Sequence, residues 1–281
     1  MTSVALAYVY DLRLPSRWAA AVQILNTCDA LARYGVPTTL HVRQVTGGDR
    51  ACLAGYDLEP SPNFSLRSFH AGLRWRLSPR WAASGLFAAQ HPGRTSFVMS
   101  RGDSAVELMR HVGPRARQRA PFIYEAHRLT FAHRMEAETG RRWDGSVPTS
   151  GAFRDLFEAE RHAIESADGL VCLTEGVRDA ISSLFSPRAP VLILPSGTRV
   201  PDEMPGHIPA GPRDLDVVYA GKLMTRKGLP LLLEAMRHLP GRTLHVLGGS
   251  PEEVEASRRA IEGDELTTRV HFLGFVEPRN V

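Results

Sequence analysis

LDVVYAGKLMTRKGLPLLLEAMRHL (residues 215–239) reads as an apolar strand, a turn at Gly221 and a helix that starts near Gly228. The turn holds Lys222 and Lys227, the only lysines in a chain of 281 residues whose other 32 basic side chains are arginine. Arginine bias alone is weak evidence, because coding composition can cause it. Two lysines clustered at one turn are another matter. Gly221 lets the backbone turn at the strand end. The free N–H groups and dipole of the next helix make an anion site. Two ammonium groups beside that site suit a diphosphate, whose charge rises as it departs as a leaving group. Arg226 is a third cation within the same turn, with a solvated surface role as its alternative. The GxxxxGK[ST] pattern of a P-loop is absent.

The strand–helix alternation continues on both sides of this turn. Downstream lie a strand at TLHVLGG (243–249), a helix at PEEVEASRRAIEG (251–263) and a strand at RVHFLGFV (269–276). Gly248 and Gly249 end the first of these strands, at its turn into the helix. Upstream, VALAYVY (4–10), a helix over 16–35 with Val22, Leu25 and Leu31 near helical spacing, and TTLHVR (38–43) form a βαβ opening, which implies parallel strands and a right-handed crossover. Gly35 stops the helix. Further strands are predicted at NFSLRSF (63–69), TSFVMS (95–100), PFIYEAH (121–127), GLVCLT (169–174) and PVLILP (190–195). Helices are predicted over 78–90, 103–113, 150–167 and 175–185, with Ser150 and Thr174 as N-caps of the last two. A long polar loop is expected after His127. RVPDEMPGHIPAGPRD (199–214), with four prolines and two glycines, reads as a linker. The expected layout is a domain over 1–198, a linker over 199–214 and the first half of a second domain over 215–281. Ligands of such open α/β sheets bind beyond the carboxyl ends of the strands, and in a two-domain version between the domains.

The net charge of +4 favours anionic partners such as nucleotides, phosphates or an acidic membrane surface, and does not require nucleic acid. Cys28, Cys52 and Cys172 are far apart, with no CxxC or Cys/His spacing for a metal, which fits a reducing compartment. No signal peptide is evident, and no run approaches the roughly 20 apolar residues of a membrane span. A cytoplasmic protein without a metal or bound cofactor is therefore expected.

YAGKLMTRKGLPLLLEAMRHLP, followed by LHVLGGS and VHFLGFV, resembles the start of the donor-binding domain of family 4 glycosyltransferases. That family reads G-[RK]-L, a short gap, KG, LL-EA, a GG strand end and V-F-G. ADGLVCLTEGVRDAI and LILPSGTR resemble the end of its acceptor domain. The resemblance covers most of the chain and is strongest over 150–281. It implies the GT-B fold, here an N-terminal Rossmann-like domain plus an incomplete second one. It also implies metal-independent transfer of a sugar from a nucleotide-sugar donor to an acceptor, with retention of anomeric configuration. Lys222 stands where the family usually has arginine, and Lys227 is the lysine of KG. Both resemble ligands of the donor diphosphate. Gly248 and Gly249, the GG strand end, stand where the resemblance implies a close approach of backbone to the nucleotide, the alternative being a plain strand-to-helix turn. His127 in YEAH resembles the acceptor-domain histidine that contacts the transferred sugar, the alternative being a structural or surface histidine.

Two departures stand out. The first loop, YDLRLPSRWAAA, lacks the family's Gly-Gly pair and carries Asp11, Arg13, Ser16 and Arg17 instead, so Arg17 could offer a guanidinium where backbone donors are usual. The chain also stops before the family's E-x7-E segment. That leaves an expectation that this chain is inactive alone or needs a partner chain to supply the missing half. Arg67, Arg74, Trp75, Arg76, Arg80 and Trp81 could serve a peripheral contact with the inner face of a membrane or a lipid-linked acceptor, the alternative being an ordinary surface helix. A non-catalytic subunit and a nucleotide-sugar epimerase or phosphorylase of the same fold stay open. A nicotinamide-dependent enzyme is disfavoured, since no GxGxxG follows a strand.

Overall fold

The computed structural model describes residues 4–16, 18–69, 86, 94–197 and 217–276. The chain divides into two compact units, Met1–Val200 and Pro201–Val281. The expected linker lies outside the described residues.

In the first unit, seven parallel strands are ordered β3-β2-β1-β4-β5-β6-β7. They are β1 (Val4–Leu14), β2 (Thr38–Val45), β3 (Phe64–Ser68), β4 (Thr95–Arg101), β5 (Phe122–Ala126), β6 (Gly169–Cys172) and β7 (Val191–Ile193). Between them run α1 (Ala19–Arg33), α2 (Asp49–Ala54), α3 (Gly102–His111), α4 (Pro114–Arg117), α5 (Thr130–Thr139), α6 (Gly151–Glu165) and α7 (Glu175–Leu184). Over Ala5–Val9 strand β1 is buried without alternation because both of its faces are covered, while exposed Asp11 and Arg13 alternate with buried Leu12 and Leu14 at its end. Leu6 and Tyr8 pack into one core with α1 and α2, while Ala7 and Val9 pack into a second with α3 and α6.

The helical phase of α1 differs from the expected one. Ala21, Ile24, Leu25, Cys28 and Ala32 are buried, Val22 is 42% exposed and Leu31 is half-buried. Ala21, Ile24 or Leu25, Cys28 and Ala32 recur every three or four residues and form the buried stripe. Gly35 ends this helix at φ 92°, as read from the sequence. Thr174 caps α7 by accepting from the Val177 N–H at 3.2 Å. Ser150 has extended backbone before α6, but its side chain makes no capping bond.

The segment expected to be a long polar loop contains α5. Its buried residues, Thr130, Phe131 and Ala132, all lie in its first turn, and Met135 packs partly buried behind them. Phe131 meets Trp143 and Phe157 edge-on, with ring centroids 5.4 and 5.0 Å away. The helix start is held by Glu160 of α6, which has no solvent exposure. This carboxylate accepts from the N–H groups of Thr130 (2.7 Å) and Phe131 (2.8 Å) and from the Tyr124 hydroxyl (3.0 Å). Burial pushes its pKa up, and the donated hydrogen bonds oppose that rise. A carboxylate at a helix N-terminus from a neighbouring helix has no local sequence signature.

The second unit has a parallel sheet ordered β10-β9-β8, built from β8 (Val217–Ala220), β9 (Leu244–Leu247) and β10 (Val270–Gly274). Helix α8 (Leu229–Arg237) and α9 (Pro251–Arg259) cover one face, where Leu229, Leu233, Met236, Leu244, Val246, Val254, Val270 and Phe272 form the core. A capping box between Ser250 and Glu253 starts α9. Replacing Glu160 by Ala should cost about 3 kcal/mol or more, because two buried N–H groups and a hydroxyl lose their acceptor. Urea unfolding of the two proteins checks this, and a loss below about 1 kcal/mol would contradict the clamp.

Candidate functional site

Strand β1 is bonded to β2 on one side and β4 on the other, so the strand order reverses there. A crevice at the carboxyl ends of the strands results from that reversal. The ends of β4 and β5 and the start of α1 bring a set of polar side chains together beside it.

Arg101, the last residue of β4, is only 6% exposed. Its guanidinium donates to Gln23 Oε1 (2.9 Å) and to the Ala20 carbonyl (3.2 Å) of α1, and lies over the Tyr10 ring at 5.2 Å. It also approaches His127 Nε2 at 3.1 Å and Glu125 Oε1 at 3.8 Å. His127 Nε2 lies 2.5 Å from Glu125 Oε1, and the Tyr8 hydroxyl donates to the other oxygen of the same carboxylate. Gln23 in turn donates to Ser196 Oγ at 2.6 Å. One carboxylate is thus shared by a phenol, an imidazole and a guanidinium.

Burial disfavours the charged form of Glu125, but the hydrogen bonds from His127 and Tyr8 and the charge of Arg101 outweigh it and hold the carboxyl below its usual range. Stabilisation from this ionised group is present above the unfolded carboxylate pKa and fades as pH falls through the lower folded value. Burial, then the neighbouring Glu125 charge, pushes the Tyr8 phenol well up, so it stays a donor.

His127 therefore sits where the sequence motif places it, just past the end of β5. Tyr8, Gln23, Arg101 and Glu125 were not singled out from the sequence. Two signals were present: an arginine ending the apolar strand TSFVMSR, and a glutamate two residues before His127, the spacing that puts two strand residues on one face.

Asp11 is not in a loop, because β1 runs on to Leu14 past a break in register between Tyr10 and Arg13. Its carboxylate is taken by Arg43 of β2, with Arg43 Nε at 2.5 Å, and its N–H donates to Ser104 Oγ at 2.9 Å. Extending the strand gives Asp11 a cross-strand partner that a loop would not. Arg17 lies outside the described residues, as do Arg74, Trp75, Arg76, Arg80 and Trp81 of the aromatic–arginine cluster.

The second candidate site lies wholly within Pro201–Val281. Lys222 and Lys227 lie within the connection from β8 to α8, near its two ends, and both are exposed. Lys227 ends a 3₁₀ turn, Thr225–Lys227, and Gly228 at φ 83° passes the chain into α8. The Tyr219 hydroxyl donates to the Lys222 carbonyl at 2.7 Å and steadies the start of the connection. Gly221 donates its N–H to the Leu247 carbonyl at 2.9 Å.

Gly248 and Gly249 pack against that connection. A Cβ on Gly248 would lie 2.0 Å from the Gly221 carbonyl oxygen, and one on Gly249 would lie 2.7 Å from the Leu223 side chain. Their φ angles, +116° and +85°, also favour glycine. These contacts let the lysine-bearing loop lie directly on the turn after β9, which gives both glycines a structural reason.

Among the described residues no group of three or more His, Cys, Asp or Glu is placed to hold a metal ion. No described helix is long and apolar enough to cross a membrane. Cys28, Cys52 and Cys172 are buried and unpaired with one another.

No protein-family model matches the chain, and a comparison with curated protein sequences found no match. Solved structures do match. Sucrose-phosphate synthase from Thermosynechococcus elongatus aligns with a TM-score of 0.62 at 20% identity, over 98% of this chain and 71% of that one. TarM aligns at 0.67 and 9% identity, over 99% and 78%. HepE of Anabaena, solved with UDP-glucose, aligns at 0.59 and 14% identity, over 97% and 69%. At these identities the likeness shows the fold, which is α/β and GT-B-like.

Gly248→Ala should destabilise the second unit well beyond the ~1 kcal/mol expected for a poorly tolerated φ alone, because the added methyl meets backbone. Gly263→Ala, at φ +77° with open space around it, is the control. Thermal unfolding of both should rank Gly248→Ala as clearly the worse.

Proposed function

We propose that this chain is a glycosyltransferase that moves a sugar from a nucleotide-diphosphate sugar to an acceptor hydroxyl on a glycan, lipid or small molecule. The observation that carries the reading is the pair of lysines carried by a glycine-shaped strand-to-helix connection, on a GT-B-like chain. The structural neighbours support it: one is solved with UDP-glucose and another is a sucrose-phosphate synthase.

In this reading Lys222 and Lys227 hold the donor diphosphate, with Gly221 shaping the turn. They stabilise the charge that grows as the bond between the anomeric carbon and the diphosphate oxygen breaks. Lysine at 222 supplies charge without the two-pronged geometry of arginine. His127 faces the transferred sugar. The acceptor hydroxyl attacks the anomeric carbon from the face the diphosphate leaves, its proton passes to the departing phosphate oxygen, and configuration is retained. No side-chain nucleophile and no metal takes part. We place the reaction in the cytoplasm, with the acceptor in solution or at the inner membrane face.

Calorimetry of the 281-residue chain with UDP, GDP and their sugars, without metal, tests the reading. Binding of one nucleotide family is expected, and Lys227→Ala should weaken it roughly ten- to a hundredfold, the worth of a charged hydrogen bond. Affinity in Lys227→Ala within about threefold of the parent would overturn the assignment of that lysine. No binding by the folded chain would favour a non-catalytic subunit. Donor turnover with no acceptor present would point to an epimerase, and dependence on inorganic phosphate to a phosphorylase.

A further inference from the structure

The histidine at the end of β5 touches two groups that make opposite demands on it. Nε2 of His127 lies 2.5 Å from Glu125 Oε1 and 3.1 Å from the Arg101 guanidinium. One ring nitrogen cannot donate to the first and accept from the second. With an ionised carboxylate nearer than the guanidinium, the proton belongs on Nε2 and the bond runs from His127 to Glu125. Arg101 does not need the ring, because Gln23 Oε1 and the Ala20 carbonyl accept from it and the Glu125 charge lies 3.8 Å away. Tyr8 holds the far oxygen of Glu125, so the carboxylate cannot swing away. Nδ1 of His127 has no hydrogen-bond partner among the described residues, and the side chain is 21% exposed.

We propose that Glu125 is a positioning residue that fixes His127 as the Nε2–H tautomer, so that Nδ1 is the nitrogen offered to a ligand as an acceptor. The inference rests, for its functional half, on the reading that His127 faces the transferred sugar. Nδ1 then accepts a hydrogen bond from a sugar hydroxyl and fixes the rotation of the ring being transferred. Tyr8 and Arg101 act behind Glu125: one pins the far oxygen, and the other lies 3.8 Å from the near one as a positive charge. A carboxylate that orients a histidine through its second nitrogen is a recurrent way to set which atom does the work.

The test reads the ring without any substrate. Nitrogen-15 spectra of the histidine rings in the full 281-residue chain, in alkaline buffer, distinguish a protonated from a pyridine-type nitrogen. His127 is assigned by its loss in His127→Asn. The expected result is a proton on Nε2 and a pyridine-type Nδ1. In Glu125→Ala the nearest group to Nε2 is the Arg101 donor, so the proton should move to Nδ1. In Tyr8→Phe, which keeps the carboxylate, it should stay on Nε2. A proton on Nδ1 in the parent protein overturns the proposal, and so does an unchanged ring in folded Glu125→Ala. Should that variant not fold, Glu125→Gln keeps the volume and can either donate or accept, so its ring should show both tautomers. An unchanged ring there overturns the proposal as well.

Transfer assays separate the two layers. Glu125→Gln should lower kcat roughly tenfold or more while leaving nucleotide affinity unchanged. An altered tautomer with full kcat would leave the ring assignment standing and remove the sugar-facing role of His127.

Discussion

Strand β1 is paired on both edges, and the chain leaves it toward β2 while the other half of the sheet grows from β4. That single reversal constrains most of the first unit. Helices that continue from β1 and from β4 must cover opposite faces, so their first turns diverge and leave polar chain ends between them. Tyr8, Gln23, Arg101, Glu125 and His127 come from four different elements, and they meet because those elements end or begin at this one line of the sheet. The cores on either side hold the line in place, with alternate residues of β1 feeding each.

Burying a guanidinium and a carboxylate so close to the core costs desolvation that their attraction only partly returns. The arrangement is tolerable because most of the groups have partners. Arg101 has a side-chain amide, a backbone carbonyl and a carboxylate, while Glu125 has a phenol and an imidazole. The exception is one imidazole nitrogen at the rim. The second unit handles its cations differently, leaving both lysines exposed and concentrating its precision on backbone, where glycine meets glycine.

Most strands were legible in the sequence because a doubly covered parallel sheet writes its strands as apolar runs between turn residues. The caps at Gly35 and Thr174 were legible because their chemistry is local, and Ser150 shows that the right residue at the right place need not make the bond. Helix α5 was not legible. Its stripe is short, and what organises it is a glutamate some thirty residues later in another helix. Val22 misled because a large apolar residue at helical spacing drew attention from the alanines and cysteine that face the sheet. In the candidate sites, the lysine turn and His127 could be read from local motifs. Glu125 left a local trace in its spacing, but Arg101 beside the ring and Tyr8 behind Glu125 arrive through strand order, which the sequence does not spell out. Asp11 was misplaced for the same reason: its partner Arg43 lies on a neighbouring strand.

The Glu160 clamp also sets a timescale. The amide protons of Thr130 and Phe131 point into a carboxylate with no solvent exposure. Water can reach them only when α6 separates from α5, and that opening exposes Phe131 and Phe157 together. Amides that open only with the core exchange at the free energy of global unfolding, whereas surface loops exchange far faster. The amides three and four residues after His127 are thus tied to the packing of α5 on α6. His127 at the rim lies three residues before backbone that Glu160 ties to α6.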